Sequence, residues 1–183
     1  MGSSWTEFWS WMNGATCPLC APRPKVDRFK IEIAQLSVST LYLDRDQQFR
    51  GYSVLIFDPR HATGIEQLTP EEYDAFSGDL HRSAKAVYEA FQPHLMNYAS
   101  LGNGIPHVHW HIIPRYEGDP RWGYPVWSMP AEELEAPQKV LLSDSDYEAM
   151  VNDVRSCLVV TSNFRLHCVQ FSSALTCMAW RRG

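Results

Sequence analysis

His107-Val108-His109-Trp110-His111-Ile112-Ile113 is the run on which the reading of this sequence turns. In an extended strand successive side chains alternate faces, so the three histidines take one side and Val108, Trp110 and Ile112 the other. The apolar set suits a core. The imidazoles then stand in a row, adjacent Cα atoms about 6.6 Å apart and the outer pair about 13 Å, so an ion fits between two neighbours but not among all three. Imidazole at neutral pH is both nucleophile and hydrogen-bond donor, which suits phosphoryl chemistry, where charge on oxygen is held and a leaving group is protonated. A solvated polar face would account for one such histidine. Strict alternation of three, between Gly102-Asn103-Gly104 and Pro114-Arg115, argues for a site.

Outward from this run, Gly102 to Pro106 reads as a tight connection and Leu95 to Leu101 as a strand. Before it, Thr69-Pro70-Glu71-Glu72 places a hydroxyl at the N-cap, proline at N1 and glutamate at N3, the signature of a helix start. Tyr73, Phe76, Leu80, Ala84, Val87, Ala90 and Phe91 recur at three- and four-residue steps until Pro93 ends the helix. Leu36 to Asp44 and Phe49 to Phe57, rich in β-branched and aromatic residues, predict a hairpin. The first 30 residues read as an irregular arm, in which Trp5, Phe8, Trp9 and Met12 mark a short amphipathic turn. After the run, a Pro- and Gly-punctuated loop extends from Pro114 to Pro130, and a second helix starts near Ser143 with Tyr147, Met150, Val151 and Val154 on one face.

A chain of 183 residues, 45% hydrophobic and 20% charged, makes one globular domain able to bury roughly two thirds of its unfolded surface. With 16 Lys and Arg against 21 Asp and Glu, the charge of −5 argues against coating nucleic acid by charge alone. No apolar run approaches the roughly 20 residues that span a bilayer, and no basic, apolar leader opens the chain. The expectation is a cytoplasmic protein without membrane or nucleic-acid partners. Five cysteines, an odd number, suit a reducing compartment better than a disulfide framework. No acidic residue follows Asp153 but four arginines do, so residues 1–153 carry −9. The end of the chain reads as an appended segment, or alternatively as a last edge element of the same domain.

The pattern His-φ-His-φ-His-φ-φ, with φ apolar, resembles the histidine triad (HIT) family of nucleotidyl hydrolases and transferases. Gly51-Tyr52-Ser53-Val54-Leu55-Ile56 followed by Pro59-Arg60-His61 is similar to the strand and loop that precede the motif in that family. The helix from Thr69, the Leu101-Gly102-Asn103 approach, residues 109–116 and Asp119-Pro120-Arg121-Trp122 resemble its bacterial, diadenosine-polyphosphate-hydrolase-like branch. The resemblance covers about residues 15–155 and implies an α+β fold, a curved antiparallel sheet with a long packed helix and a C-terminal helix. Residues 1–14 are then an N-terminal arm, 15–155 the HIT domain and 156–183 a C-terminal extension.

What the resemblance implies for chemistry is specific. His109 attacks the α-phosphate of a nucleotide, and water hydrolyses the resulting histidine-nucleotidyl intermediate to release a nucleoside monophosphate. His111 contacts phosphate oxygens and assists the leaving group, His107 completes the catalytic set, Asn103 lies by the phosphates and Asp44 holds the ribose. Family members commonly carry histidine where this chain has Tyr52. Related uridylyltransferases carry glutamine at the third triad position, so His111 argues for hydrolysis over transfer. The expected substrate is a nucleoside phosphoanhydride or phosphoramidate, diadenosine tetraphosphate foremost, and the expected assembly a homodimer. Trp122 and Trp127 stack on a base or fill a dimer contact. A nucleotide-binding regulatory module with little turnover, and a metalloenzyme using the histidine row as ligands, are the competing readings.

Cys17-Pro18-Leu19-Cys20 takes on meaning beside His61 and His107. Two thiolates from a short Cys-x-x-Cys and two imidazoles make a tetrahedral Cys2His2 set suited to structural Zn2+, the set by which some HIT proteins bind zinc. Such an ion would pin the arm onto the sheet; otherwise the arm carries two reduced thiols. No organic cofactor is implied. Cys157, Cys168 and Cys177 read as buried or free thiols, and His81 and His94 as surface residues.

Overall fold

A computed structural model of the chain describes residues 5–119, 122–128 and 139–163, of which 160–163 are described by backbone alone. Pro120, Arg121 and the tail with His167, Cys168 and Cys177 lie outside the described residues. Helix α1 spans Trp5–Met12, α2 Pro70–Phe91 and α3 Asp144–Asn163; strands β1 to β5 are Lys30–Gln35, Ser39–Asp44, Ser53–Phe57, Leu95–Ala99 and His109–Arg115. The strands form one sheet in the order β1-β2-β3-β5-β4, each neighbouring pair antiparallel. This is the α+β arrangement expected, with the long helix and the C-terminal helix in place. Among the described residues no helix is long and apolar enough to cross a membrane.

Period-two alternation gives the sheet two different faces. Ile33, Leu41, Leu43, Leu55, Phe57 and Ile112 form the core with Phe76, Val87 and Phe91 of α2 and Tyr147, Met150, Val151 and Val154 of α3. Helix α2 starts as its sequence predicts: Thr69 Oγ1 accepts from Glu72 N at 3.2 Å, and Thr69 N donates to Glu72 Oε2 at 2.9 Å. It ends on Gln92, in the left-handed region at φ 47°, just before Pro93. Helix α3 runs on through Asn163, across the 155/156 position at which the appended segment was expected to begin.

Four details depart from the expectations. Strand β1 follows the irregular arm, over residues for which the sequence predicts no element. The hairpin strands are shorter, beginning at Ser39 and Ser53, and β4 stops at Ala99. The histidine strand starts at His109 rather than His107, because the amides of His107 and Val108 bond to the carbonyls of Ile105 and Ala62, outside any strand. Between Phe49 and β3, Gly51 takes φ 88°, and a Cβ there would lie 2.3 Å from the Phe91 ring, so glycine is required where the chain enters β3 and aims Tyr52.

One buried charge ties α2 to the sheet. Asp79 accepts from Ser37 Oγ at 2.5 Å, Ser39 Oγ at 2.7 Å and Val38 N at 2.9 Å, and pairs with Arg82. Burial pushes its carboxyl up, but the bonds from Ser37, Val38, Ser39 and Arg82 prevail and hold it below the usual range. Asp79→Ala would strand these donors at the β1–β2 turn. The expected cost is about 3 kcal/mol, read as a fall in Tm of roughly 6–12 °C in thermal unfolding; a change within about 2 °C would show that the turn relaxes into solvent.

Candidate active site and metal cluster

The polar residues singled out by the sequence lie on the sheet face opposite the helices, and they divide into two groups. In the first, Cys17, Cys20, His61 and His107 bring one ligand atom each to within 4.8 Å of one another. The cysteines share a turn after α1, closed by Cys20 N on the Cys17 carbonyl at 3.1 Å. His61 follows β3 and His107 precedes β5. His107 Nε2 is 2.7 Å from the Phe57 carbonyl and His61 Nε2 is 3.1 Å from the Met12 carbonyl. A carbonyl only accepts, so each ring donates from Nε2 and keeps its lone pair at Nδ1. Those lone pairs face sulfur: His107 Nδ1 is 3.6 Å from Cys17 Sγ and 3.5 Å from Cys20 Sγ, and His61 Nδ1 is 3.4 Å from Cys20 Sγ. Two thiols and two imidazoles braced from behind by carbonyls are a donor set that fits tetrahedral Zn2+.

The second group is built on β5. His109 and His111, two residues apart, both turn into the face that also carries Val54 and Ile56, their register partners being Ile56 for His109 and Val54 for His111. His109 Nδ1 lies 2.5 Å from the His107 carbonyl, so it is the donor and the lone pair of His109 stands at Nε2. His107 therefore joins the Cys2His2 cluster with its ring and serves His109 with its backbone. His111 Nε2, 3.1 Å from His109 Nε2, carries the hydrogen of that contact, and Tyr52 donates its hydroxyl to His111 Nδ1 at 2.6 Å. Burial lowers His109 and pushes His111 down to about 4, so both rings are neutral at pH 7. Burial, with Asp44 and Asp46 nearby, holds the Tyr52 phenol well above its ordinary range.

These groups open on a cavity of about 490 Å³, a size suited to a small-molecule ligand. Leu19, Val54, Ile56 and Ile105 give it apolar walls, and Phe29 and Trp127 add exposed rings, Trp127 lying 4.9 Å from the His111 ring. Asp44, Lys30 and Asn103 are its other polar contributors. Burial pushes the Asp44 carboxyl up to about 6, against a hydrogen bond from Asp46 N. Asp44, Asn103, His109 and His111 thus meet in one place, while the ring of His107 lies with the cysteines. A larger cavity of about 670 Å³ along β4 shares Trp127 and Leu101 but holds none of these four residues.

Sequence reasoning passed over Leu19, Phe29 and Lys30, and it registered Tyr52 only as a departure from a pattern. Leu19 had a signal: a large apolar residue between two cysteines of an exposed arm must bury itself somewhere. His81 and His94 are exposed, as expected. Cys157 is half-buried in α3 against the core.

Comparison with known proteins bears on the fold that carries these residues. The HIT domain family model matches residues 32–118. No curated protein matches the chain. A histidine triad protein from Sinorhizobium meliloti superposes with a TM-score of 0.64 at 21% identity, over 79% of this chain and 98% of that one. One from Bradyrhizobium japonicum gives 0.65 at 23% identity, over 77% and 99%. A zinc-bound histidine triad family protein from Mycobacterium smegmatis gives 0.53 at 19% identity, over 82% and 98%. These likenesses establish the fold, and the stretch that the HIT domain model matches, residues 32–118, runs from within β1 to just past β5.

Proposed function

We propose that this protein is a nucleotidyl hydrolase that cleaves a nucleoside phosphoanhydride or phosphoramidate through a covalent intermediate on His109, with dinucleoside polyphosphates such as diadenosine tetraphosphate as favoured substrates. The observation that carries the reading is the state of His109: a neutral ring, anchored through Nδ1, whose Nε2 lone pair opens on a nucleotide-sized cavity. In this scheme Nε2 bonds to the α-phosphorus, the leaving group departs, and water then cleaves the N–P bond to release the monophosphate. His111 turns its Nε2 hydrogen from His109 to the bridging atom or a phosphate oxygen. Asn103 steadies the phosphates, Asp44 takes the ribose hydroxyls, and the apolar walls with Phe29 or Trp127 hold the base. Brief mixing with diadenosine tetraphosphate, acid quench and peptide mass analysis should find an adenylyl group on His109. Rapid turnover with no adduct on any time scale, or an adduct on another residue, would overturn this mechanism.

The same reading assigns Cys17, Cys20, His61 and His107 to a structural zinc ion. It draws support from the carbonyl-braced imidazoles and from the zinc-bound relative of the same fold. Such an ion supplies a cross-link between the arm and the sheet, and no part of the hydrolytic chemistry.

A further inference from the structure

Tyr52 has no part in the scheme above beyond touching His111, yet its position has a chemical consequence. Three hydrogen bonds run in series with fixed directions: Tyr52 hydroxyl to His111 Nδ1, His111 Nε2 to His109 Nε2, His109 Nδ1 to the His107 carbonyl. A neutral imidazole that surrenders the hydrogen on one nitrogen must regain one on the other. For His111 the group placed to return it is the Tyr52 phenol, and the price of that transfer is a phenolate. Its surroundings make that phenolate costly. Tyr52 is half-buried, and the ionisable groups that act on it are the carboxylates of Asp44 and Asp46, which oppose a further negative charge. His111 can therefore lend a hydrogen bond, but it cannot readily give its proton away.

We propose that Tyr52 selects the leaving group: the site favours substrates whose leaving group departs as a stable oxyanion and discriminates against those whose leaving group must be protonated to leave. Nucleoside polyphosphates, pyrophosphate and phosphate belong to the first class, amines to the second. This inference rests on the nucleotidyl-hydrolase reading and narrows it to phosphoanhydrides. With an anhydride, His109 Nε2 forms the N–P bond and the bridging P–O bond breaks with its electron pair on the leaving oxygen. The His111 Nε2 hydrogen bonds to that oxygen and remains on nitrogen. With a phosphoramidate, the P–N bond breaks and the amine nitrogen must take the His111 proton, the Tyr52 proton moves to Nδ1, and the phenolate is left under the opposing charges of Asp44 and Asp46. Tyr52 acts through His111 and is a positioning residue.

The test uses the full chain and two probes that share one nucleotide, diadenosine tetraphosphate and adenosine 5′-phosphoramidate. Wild type should favour the anhydride in kcat/KM by at least roughly 100-fold, the scale of withheld general-acid help. Tyr52→His, which puts a titratable imidazole against His111 Nδ1, should narrow that ratio by roughly tenfold or more. Tyr52→Phe should leave the anhydride preferred while altering the ¹⁵N shifts of the His111 ring. Should the variants fold poorly, aryl esters of adenosine 5′-phosphate give the same information with wild type alone: log kcat/KM should fall steeply as the phenol leaving group becomes less acidic. Equal efficiency on both probes, a ratio unmoved in folded Tyr52→His, or a flat aryl-ester dependence would overturn the proposal and leave nucleotidyl hydrolysis standing. Failure of wild type to cleave any of the probes would overturn both.

Discussion

Replacing His109 with alanine should lower kcat/KM for diadenosine tetraphosphate by roughly 10⁴-fold or more, the scale on which loss of a nucleophile is felt. The two neighbouring imidazoles are otherwise engaged. His107 gives Nε2 to the Phe57 carbonyl and turns Nδ1 to the cysteines, while His111 carries hydrogen on Nε2 and accepts Tyr52 at Nδ1. Neither ring offers a lone pair to replace Nε2 of His109, since rotating the His111 ring would break the bond from Tyr52. Binding should survive, because base, ribose and phosphates are assigned to groups that the substitution leaves in place. The affinity for adenosine monophosphate, measured by calorimetry, should change by no more than about fivefold. A variant that turns over within about tenfold of wild type would remove His109 from the chemistry. One that loses both binding and activity would point to collapse of the pocket, which circular dichroism and a thermal melt would reveal.

How much of this was legible in the sequence depends on whether the signal is local. The start of α2 could be read because a capping box is written within four consecutive residues. The β5 alternation could be read because Trp110 and Ile112 must be buried on one side. Strand β1 escaped for a stated physical reason: its register slips between Glu32 and Ala34, which breaks the period-two pattern over a segment of only six residues. Strand β5 begins later than its alternation suggests because Val108 N bonds to the carbonyl of Ala62, a distant loop residue that leaves no trace in the neighbouring sequence. Tyr52 is the extreme case. Its meaning comes from a contact with His111, 59 positions distant, and from the carboxylates of Asp44 and Asp46 across a turn. Pattern comparison could show that this position was unusual; only geometry shows which nitrogen the phenol serves.

Metal removal tests the other half of the site. The protein purified without chelator should contain about one zinc per chain, and Cys17→Ser/Cys20→Ser should contain none. An ion bound at about a thousand times its Kd contributes about 4 kcal/mol, so chelation should lower Tm by roughly 8–16 °C for a domain of this size. The loss should be partial. The main core joins α2 and α3 to the sheet without either cysteine, whereas Cys17 and Leu19 pack in a separate small cluster with Tyr42 and Ile56. That cluster also supplies Leu19 to the cavity wall, so loosening the arm should raise KM several-fold while leaving kcat within about tenfold, the pattern of weakened uniform binding. His109 keeps its anchor as long as the His107 carbonyl stays in place, and the bond from His107 Nε2 to Phe57 holds that residue even without metal. Abolished kcat in a metal-free chain that still melts cooperatively would mean that the ion takes part in the chemistry, and the structural assignment of zinc would fall.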